Sequence, residues 1–435
     1  MSASHELDFG TSRFSILDPP SSGGMFALDA EYRADQAPQK VNLLMGAYRD
    51  DQGQPWQLSS VTEAKTRMNL HSCHHEYLPI HGNPVFLEAA REVLFGHEIS
   101  EHGRDSIVSI QTISGTGANS LIAAFLNRHT MPSNIWLPDP TWMNHFDIWQ
   151  AAAPGIKVQK YPYYDGLTRS FDFAGMMRIL RSKSSEHDAI LLHACAHNPT
   201  GLDPSEEQWE EIALFCKEKM LFVIFDSAYQ GFASGDLNRD AWPVRHFFTH
   251  RPIEFAVCQS FSKNLGLYGE RVGALHVVVS RETSLSASLT APVQGHLVDL
   301  QRAMVSMPPL FGCRVATEIL KSTNLQRLWK MDLLVMSERI KDMRKALYNA
   351  LVRLKTPGTW EHITEQNGMF SYTGLSEDHV SRLRKEHHVY MLPTGRASIC
   401  GLTAENIGYT AYAIHRVVVD ELAVVEFDLH DQSRI

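Results

Sequence analysis

Residues 259–273 read QSFSKNLGLYGERVG and separate two apolar runs, 254–259 and 272–279. The apolar runs predict β-strands, and the polar, glycine-containing stretch between them predicts a loop at the end of the first strand. This loop carries an amine on Lys263 and a guanidinium on Arg271. An isolated lysine is usually a solvated surface charge, whereas a position between two buried strands favours a functional amine.

The chain repeats this pattern of an apolar strand followed by polar residues. Residues 190–194 lead into the turn that contains Asn198, and residues 221–225 end at Asp226. Helical patterns alternate with these strands, which indicates an α/β fold with a mostly parallel sheet covered by helices on both faces. Because ligands bind beyond the carboxyl ends of strands in such sheets, we expect Asn198, Asp226 and Ser260 to meet at one site.

Several helix boundaries can be read from capping residues. Asn83 and Pro84 predict the start of a helix that stops at Gly96, and residues 203–206, Asp-Pro-Ser-Glu, resemble a capping box. Residues 333–354 form a long charged helical stretch, followed by short mixed segments that predict a second, α+β unit. We therefore expect a second structural unit from about residue 331 onwards.

Composition narrows the class of protein. The 435 residues are 44% hydrophobic and 20% charged, as in an ordinary globular protein with ample core. The net charge of −9 argues against nucleic acid as a partner, because there is no basic excess to neutralise phosphates. There is no run of roughly 18 apolar residues, so no membrane span is expected.

The cysteines and the chain ends give information about the cellular compartment and about metal binding. The six cysteines include no Cys-x-x-Cys pair, which favours reduced thiols. His71, Cys73, His74 and His75 cluster, but no second ligand pair lies at zinc spacing, so we predict no metal site. No targeting segment is recognised at the N-terminus, and a cytoplasmic location is expected. The final Ser-Arg-Ile loosely resembles a peroxisomal address, with a frayed tail as the alternative.

Three residue types together suggest a cofactor. An amine that can condense with an aldehyde, an acid for a ring nitrogen and a guanidinium for a phosphate are what pyridoxal phosphate requires from a protein. Lys263, Asp226 and Arg271 supply these groups. Asp226 could instead merely cap the segment after its strand. His145 could orient Asp226, or could be structural.

Further candidates surround this trio. The run from Ser114 to Gly117, before a helix, offers backbone N–H groups to a phosphate, although Gly-x-Gly turns are common. Ser260 could complete that phosphate site. Trp142 could stack on a ring or simply pack in the core. Arg396 could hold an amino-acid carboxylate through two hydrogen bonds, or could be a surface arginine.

The chain resembles the aspartate aminotransferases, in the eukaryotic-type branch of the fold-type I pyridoxal phosphate enzymes. The matching strings occur in family order over roughly residues 41–415 and are VNL (41–43), GAYR (46–49), HEYLPI (75–80), LHACAHNPTG (192–201), FDSAYQGF (225–232), QSFSKN (259–264) and GMFS (368–371). The resemblance implies a large cofactor-binding domain (56–330) with a mostly parallel seven-stranded sheet. It also implies a smaller α+β domain, built from an N-terminal arm and segment (1–55) and the C-terminal part of the chain (331–435), and a homodimer with shared active sites.

The resemblance also implies residue roles. The catalytic residues would be Lys263, Asp226 and Tyr229. The cofactor ligands would be Ser114, Gly115, Thr116, Trp142, Asn198, Asp226, Tyr229, Ser260, Lys263, Arg271 and, reaching the neighbouring subunit, Tyr77. The substrate ligands would be Gly46, Trp142, Asn198, Arg396 for the α-carboxylate and, reaching the neighbouring subunit, Arg302 for a distal carboxylate.

One stretch departs from the family pattern Arg-x-x-Trp-Ser-Asn-Pro-Pro. Residues 302–309 read RAMVSMPP, so Arg302 stays in register while Val305 and Met307 replace the tryptophan and the asparagine. The preceding stretch, 283–295, is also longer and differently composed. The replacements remove an aromatic wall and a polar partner near the predicted side-chain pocket.

The expected activity is ping-pong transfer of an amino group, with L-aspartate and 2-oxoglutarate as the leading substrates. The first alternative is an aromatic or broad-specificity aminotransferase. The second is a pyridoxal phosphate lyase or a C–C bond-forming enzyme derived from the same scaffold. A non-catalytic binding protein is disfavoured because Lys263, Asp226, Arg271 and Arg396 are all present.

Overall fold

The computed structural model describes residues 14, 17, 24–68, 74–250, 253–279 and 286–432. The predictions that concern His71, Cys73 and the C-terminal Ser-Arg-Ile fall outside these residues, as does part of the stretch 283–295. The five cysteines within them are all buried and unpaired. No helix among the described residues is both long and apolar enough to cross a membrane.

Helices and strands alternate along most of the chain. The helices are α1 (Met25–Ala34), α2 (Ser59–Arg67), α3 (Pro84–Phe95), α4 (His97–His102), α5 (Ser114–His129), α6 (Asn144–Ala152), α7 (Phe173–Lys183), α8 (Glu206–Glu218), α9 (Leu237–Asp240), α10 (Trp242–His250), α11 (Ser286–Val305), α12 (Phe311–Lys321), α13 (Thr323–Arg353), α14 (His362–Glu365), α15 (Glu377–His387) and α16 (Ile407–Gln432). The strands are β1 (Val41–Asn42), β2 (Ile107–Ile113), β3 (Asn134–Asp139), β4 (Lys157–Pro162), β5 (Tyr164–Asp165), β6 (Ser170–Phe171), β7 (Ala189–His193), β8 (Phe222–Ser227), β9 (Phe255–Ser260), β10 (Val272–Val278), β11 (Phe370–Tyr372), β12 (Val389–Tyr390) and β13 (Arg396–Ser398).

Seven of the strands in the described part of the chain form one central sheet, which confirms the predicted mostly parallel architecture. Its order is β2-β10-β9-β8-β7-β3-β4, and only β10 runs antiparallel to its neighbours. The carboxyl ends of the parallel strands therefore share one edge. The end of β2 and the start of β10 lie at the same edge, where Ile113 pairs with Val272.

Alternating side chains of the central strands feed two hydrophobic cores. In β8, Phe225 packs with Trp209 of α8 and Phe247 of α10 on one face of the sheet. The adjacent Ile224 packs with Leu121 of α5 on the other face. Since full burial of such a side chain contributes about 1.5–3 kcal/mol, both helical layers are held firmly against the sheet.

Capping residues place several helices where the sequence predicted them. Asn83 accepts hydrogen bonds from the backbone N–H groups of the first turn of α3, which ends before Gly96. A capping box also begins α8, but Ser205 and Gln208 form it, two residues later than the pattern at residues 203–206 predicted. The run from Ser114 to Gly117 differs from the prediction, because it forms the first turn of α5 and not a separate turn before the helix.

A strand near the N-terminus pairs with a strand near the C-terminus. Residues Val41 and Asn42 of β1 pair in parallel with Val389 and Tyr390 of β12. The long helix α13 runs through the predicted boundary at residues 330 and 331 without interruption. The exact domain limits stay a prediction, but the pairing of β1 with β12 places the N-terminal segment beside the C-terminal strands.

Candidate active site

A cavity of about 390 Å³ lies at the edge of the sheet where the carboxyl ends of the parallel strands meet. A larger cavity, of about 480 Å³, lies between α8 and α10 and contains none of the predicted site residues. The smaller cavity is the candidate site because the chemically relevant side chains converge there.

Twelve of the predicted site residues line this cavity. They are Gly46, Ser114, Gly115, Thr116, Trp142, Asn198, Asp226, Tyr229, Ser260, Lys263, Arg271 and Arg396. Two others do not reach it within this chain. The side chain of Tyr77 is 81% exposed, and Arg302 is also exposed.

Asp226 is held by a chain of buried hydrogen bonds. The backbone N–H of Asn198 donates to His193 Nδ1, so His193 is left to donate from Nε2 to the Thr141 hydroxyl. The same hydroxyl lies 2.9 Å from His145 Nδ1, and His145 Nε2 lies 2.9 Å from Asp226 Oδ2. This arrangement makes His145 Nε2 the donor to Asp226.

The second carboxylate oxygen of Asp226 is available for an external group. Asp226 Oδ1 is buried and has no hydrogen-bond partner among the described residues. Burial raises the pKa of Asp226, but the hydrogen bond and charge of His145, with His193 and Lys263, lower the pKa below its usual value overall. An ionised carboxylate with an unsatisfied oxygen fits a protonated ring nitrogen.

Lys263 presents a buried amine to the same cavity. Its Nζ lies 5.2 Å from the ring centroid of Tyr229. Burial lowers the pKa of Lys263, and the charges of Arg271 and Arg396 lower it further, against the opposing effect of Asp226. The lowered pKa increases the unprotonated fraction, which is the form that can attack a carbonyl.

Hydroxyl groups and an arginine form a polar cradle at the N-terminus of α5. Ser114 Oγ lies 2.8 Å from Ser260 Oγ and 2.6 Å from Ser262 Oγ. Arg271 Nη1 donates to Ser262 Oγ at 3.1 Å. A Cβ atom added at Gly115 would lie 3.3 Å from the Cβ of Ser260, so glycine keeps this cradle open. Hydroxyl groups, a guanidinium and a helix N-terminus together fit a phosphate.

Arg396 lies on the opposite side of the cavity. Its guanidinium is 4.1 Å from the ring centroid of Phe370, and Nη2 donates to the Leu44 carbonyl at 2.7 Å. Burial lowers the pKa of Arg396 to about 10. No carboxylate among the described residues pairs with this buried cation, so it is suited to an external carboxylate.

Gly46 and Asn198 complete the predicted set. A Cβ added at Gly46 would come within 2.7 Å of the Phe370 ring, so only glycine lets the two segments approach this closely. Asn198 Oδ1 is buried without a partner among the described residues. The unsatisfied oxygens of Asn198 and Asp226, the amine of Lys263 and the polar cradle fit the ring and phosphate of pyridoxal phosphate.

The sequence analysis missed several residues that line the cavity. These are Met25, Phe26, Met45, His193, Ala228, Ser262, Tyr268 and Phe370. His193 and Ser262 could have been found, because each lies within a family string and next to a predicted strand end. Met25 and Phe26 carry no such signal, since the first turn of α1 reaches the cavity only through the pairing of the two chain ends.

Among the residues described, no group of three or more histidine, cysteine, aspartate or glutamate side chains could hold a metal ion.

Comparison with known proteins gives a consistent result. Residues 38–414 match the family described as aminotransferase class I and II. An L-tyrosine:2-oxoglutarate aminotransferase of Aspergillus ustus is 47% identical over 90% of this chain and 75% of its own length. A cytoplasmic aspartate aminotransferase of Schizosaccharomyces pombe is 45% identical over 94% of this chain and 98% of its own. The solved cytoplasmic aspartate aminotransferase of Saccharomyces cerevisiae superposes with a TM-score of 0.89 at 41% identity, covering 93% of this chain and 98% of that one.

Proposed function

The chain belongs to the class I and II aminotransferase family and is a transaminase, and we propose that it uses pyridoxal 5′-phosphate to move the amino group of L-aspartate to 2-oxoglutarate by a ping-pong mechanism. One observation carries this proposal. The buried amine of Lys263, the unsatisfied carboxylate oxygen of Asp226, the phosphate cradle and the unpaired Arg396 all face a single cavity.

The residues of this chain would hold the cofactor and the substrate in defined places. Asp226 Oδ1 would accept the hydrogen bond of the ring nitrogen, and Asn198 would contact the ring oxygen. The cradle of Ser114, Ser260 and Arg271 would hold the phosphate. When bound, the cofactor supplies an aldehyde for the amino group and a ring that delocalises negative charge from the substrate Cα.

Lys263 and Arg396 would then act on the substrate itself. Arg396 would hold the α-carboxylate through a bidentate pair, which orients the Cα hydrogen. The unprotonated Nζ of Lys263 would remove that proton and later return one. His145 would keep Asp226 ionised and oriented, and the buried surroundings would exclude water from the proton transfer.

We further propose a homodimer in which each subunit completes the site of the other. Tyr77 and Arg302 are exposed and lie away from the cavity of their own chain. Met304, Val305 and Phe311 expose apolar surface next to Arg302 in sequence. Exposed apolar side chains close in sequence to Arg302 support an interface at this part of the chain.

A broad or aromatic donor range is the second candidate. Val305 and Met307 occupy positions where the family carries a tryptophan and an asparagine, and Met25, Phe26 and Met45 give the cavity an adaptable apolar lining. The similarity to an L-tyrosine:2-oxoglutarate aminotransferase of Aspergillus ustus also supports an aromatic donor. A cytoplasmic location is proposed because the related fission yeast enzyme is a cytoplasmic aspartate aminotransferase.

A panel of amino donors tests these proposals. Purified protein is mixed with aspartate, glutamate, tyrosine, phenylalanine, alanine or leucine without an acceptor, and conversion of the cofactor absorbance to its aminated form is followed in a single turnover. We expect aspartate and glutamate to exceed alanine and leucine by more than about 30-fold in kcat/KM. Equal rates for all donors would reject the dicarboxylate proposal, and failure to accumulate the aminated form would favour a lyase.

A further inference from the structure

Helix α13 carries a buried cation that the proposed mechanism does not use. Arg344 has only 2% of its surface exposed. No carboxylate among the described residues forms an ion pair with it. Burial of an arginine is costly unless its donors are satisfied, so the groups around Arg344 reveal what the charge is used for.

Backbone carbonyl groups of one short segment take the place of a counter-ion. Arg344 Nη1 donates to the carbonyl of Ile363 at 2.9 Å. Arg344 Nη2 lies 3.2 Å from the carbonyl of Asn367, 2.8 Å from that of Gly368 and 2.6 Å from that of Phe370. A planar guanidinium with several donors in fixed directions can gather these carbonyls from one side, which a lysine ammonium cannot do equally well.

The segment held by Arg344 forms one wall of the active site. The Phe370 carbonyl accepts from Arg344, while the Phe370 ring supports Arg396 at 4.1 Å and contacts the backbone at Gly46. The backbone N–H of Asn367 also donates to the carbonyl of Gly201, three residues after Asn198. Movement of this segment would therefore displace the Phe370 ring that packs against the Arg396 guanidinium.

We propose that Arg344 is a positioning residue for the substrate carboxylate: it fixes the segment 363–370 so that the Phe370 ring holds the Arg396 guanidinium in a geometry ready to bind. The inference rests on the proposed role of Arg396 in binding the α-carboxylate. Arg344 itself touches neither substrate nor cofactor. Its effect should appear in carboxylate affinity and should not appear in cofactor binding.

This role can be tested with two carboxylates that lack an amino group, because they can bind but cannot react. Succinate and 3-phenylpropanoate are titrated into the holoenzyme by calorimetry, with the cofactor absorption spectrum recorded for each variant. Arg344→Met should weaken the binding of whichever ligand the parent binds by about 10-fold or more, since small misplacements of a binding group have effects of this order. Arg344→Lys should lower the affinity for the same ligand by at least about 3-fold, because lysine keeps the charge but lacks the planar set of N–H donors.

Arg353→Met provides the matched control, because Arg353 is an exposed arginine on the same helix. It should bind both ligands as the parent does, and all three variants should keep the parent's cofactor spectrum. If Arg344→Met lowers the melting temperature but binds with parental affinity while folded, Arg344 is only structural and the proposal is wrong. If Arg344→Met does not fold, Arg344→Lys decides: an affinity for the carboxylate equal to that of the parent would mean that the proposal is wrong.

Arg396→Met separates this inference from the proposed function. If Arg396→Met leaves the affinity of the parent's ligand unchanged, the assignment of the carboxylate site is wrong. If Arg396→Met loses the ligand while both Arg344 variants retain it, only the positioning role of Arg344 fails.

Discussion

The two ends of the active-site cavity are built in different ways. The cofactor end is formed by Ser114, Asp226, Ser260, Lys263 and Arg271, which lie next to strand ends in one chain. The substrate end combines Gly46 and Arg396 with the apolar side chains of α1, while Arg302, the predicted ligand of a distal carboxylate, does not line this cavity. The comparison shows that one chain brings together the groups proposed for the chemistry, whereas Arg302, the residue proposed to select the side chain, lies outside that chain's own cavity.

The two ends also differ in how strongly their side chains are restrained. Asp226 is fixed by consecutive hydrogen bonds through His145, Thr141 and His193. In contrast, Phe26 is 75% exposed, and the thioether of Met25 approaches Arg396 Nη2 only at 3.7 Å. Substitutions at the cofactor end should therefore affect the rate for every substrate, and substitutions at the substrate end should affect the choice among substrates.

The largest effect is expected at Lys263. Lys263→Ala should abolish transamination and the borohydride-reducible attachment of the cofactor, because this is the amine in the cavity. Peptide mapping after borohydride reduction should find the cofactor on Lys263 in the parent. Lys385→Ala, at an exposed position, serves as the control. Label on a different lysine would contradict the assignment.

Asp226→Ala should lower the rate by about 10²–10⁴-fold with a much smaller effect on folding. In the proposed mechanism the carboxylate would keep the ring nitrogen protonated, and its loss would remove stabilisation of negative charge in the transition state. Single-turnover rates and thermal unfolding of the same preparation provide the measurement. Near-normal turnover would mean that Asp226 only completes a hydrogen-bond network at the end of β8.

Arg302→Leu tests whether the substrate end is completed by a partner subunit. If Arg302 reaches the partner's cavity, the reaction with aspartate should lose about 30-fold or more in kcat/KM, because an uncompensated distal carboxylate would be desolvated. The reaction with phenylalanine should change little and acts as the internal control. If kcat/KM for aspartate is unchanged, Arg302 does not bind the distal carboxylate, and the assignment of a dicarboxylate substrate is wrong.

A smaller effect is expected from restoring the family residues at two positions. Val305→Trp combined with Met307→Asn should raise the preference for aspartate over tyrosine by about 3- to 10-fold, because a rigid wall and a polar partner replace adaptable apolar side chains. The ratio of kcat/KM values for the two donors gives the result. An unchanged ratio would place the determinants of donor choice elsewhere, with Met25 and Met45 as the next positions to change.

The smallest effect concerns stability at the cofactor end. Burial lowers the pKa of His193 from 6.5 to about 3, so the folded protein keeps this imidazole neutral while the unfolded chain binds a proton below pH 6.5. The stabilisation is complete above about pH 6.5 and is lost progressively as the pH falls towards 3. His193→Gln should make the free energy of unfolding less dependent on pH in that range. If His193→Gln and the parent show the same pH dependence of the free energy of unfolding, this prediction is wrong.

Much of the cofactor end could be predicted from local sequence. Apolar runs of strand length predicted β8 and β9, and the polar residues that follow them predicted the edge at which Asp226 and Lys263 meet. Parallel strands bring their carboxyl ends together whatever their order in the chain, so the site could be located before the strand order was known. The capping residues of α3 and α8 were equally informative, because they act within one helical turn.

The sequence by itself therefore determined the α/β class, the family resemblance and the chemical groups of the cofactor end, since these depend on short-range patterns of burial and on residue type. Only the tertiary structure decided that α1 brings Met25 and Phe26 to the cavity and that Arg344 supports Arg396 through Phe370. It also decided that Asp226 Oδ1 has no hydrogen-bond partner among the described residues while Oδ2 does. These features join residues far apart in the chain through packing and hydrogen bonds, and no local pattern of side chains specifies such contacts.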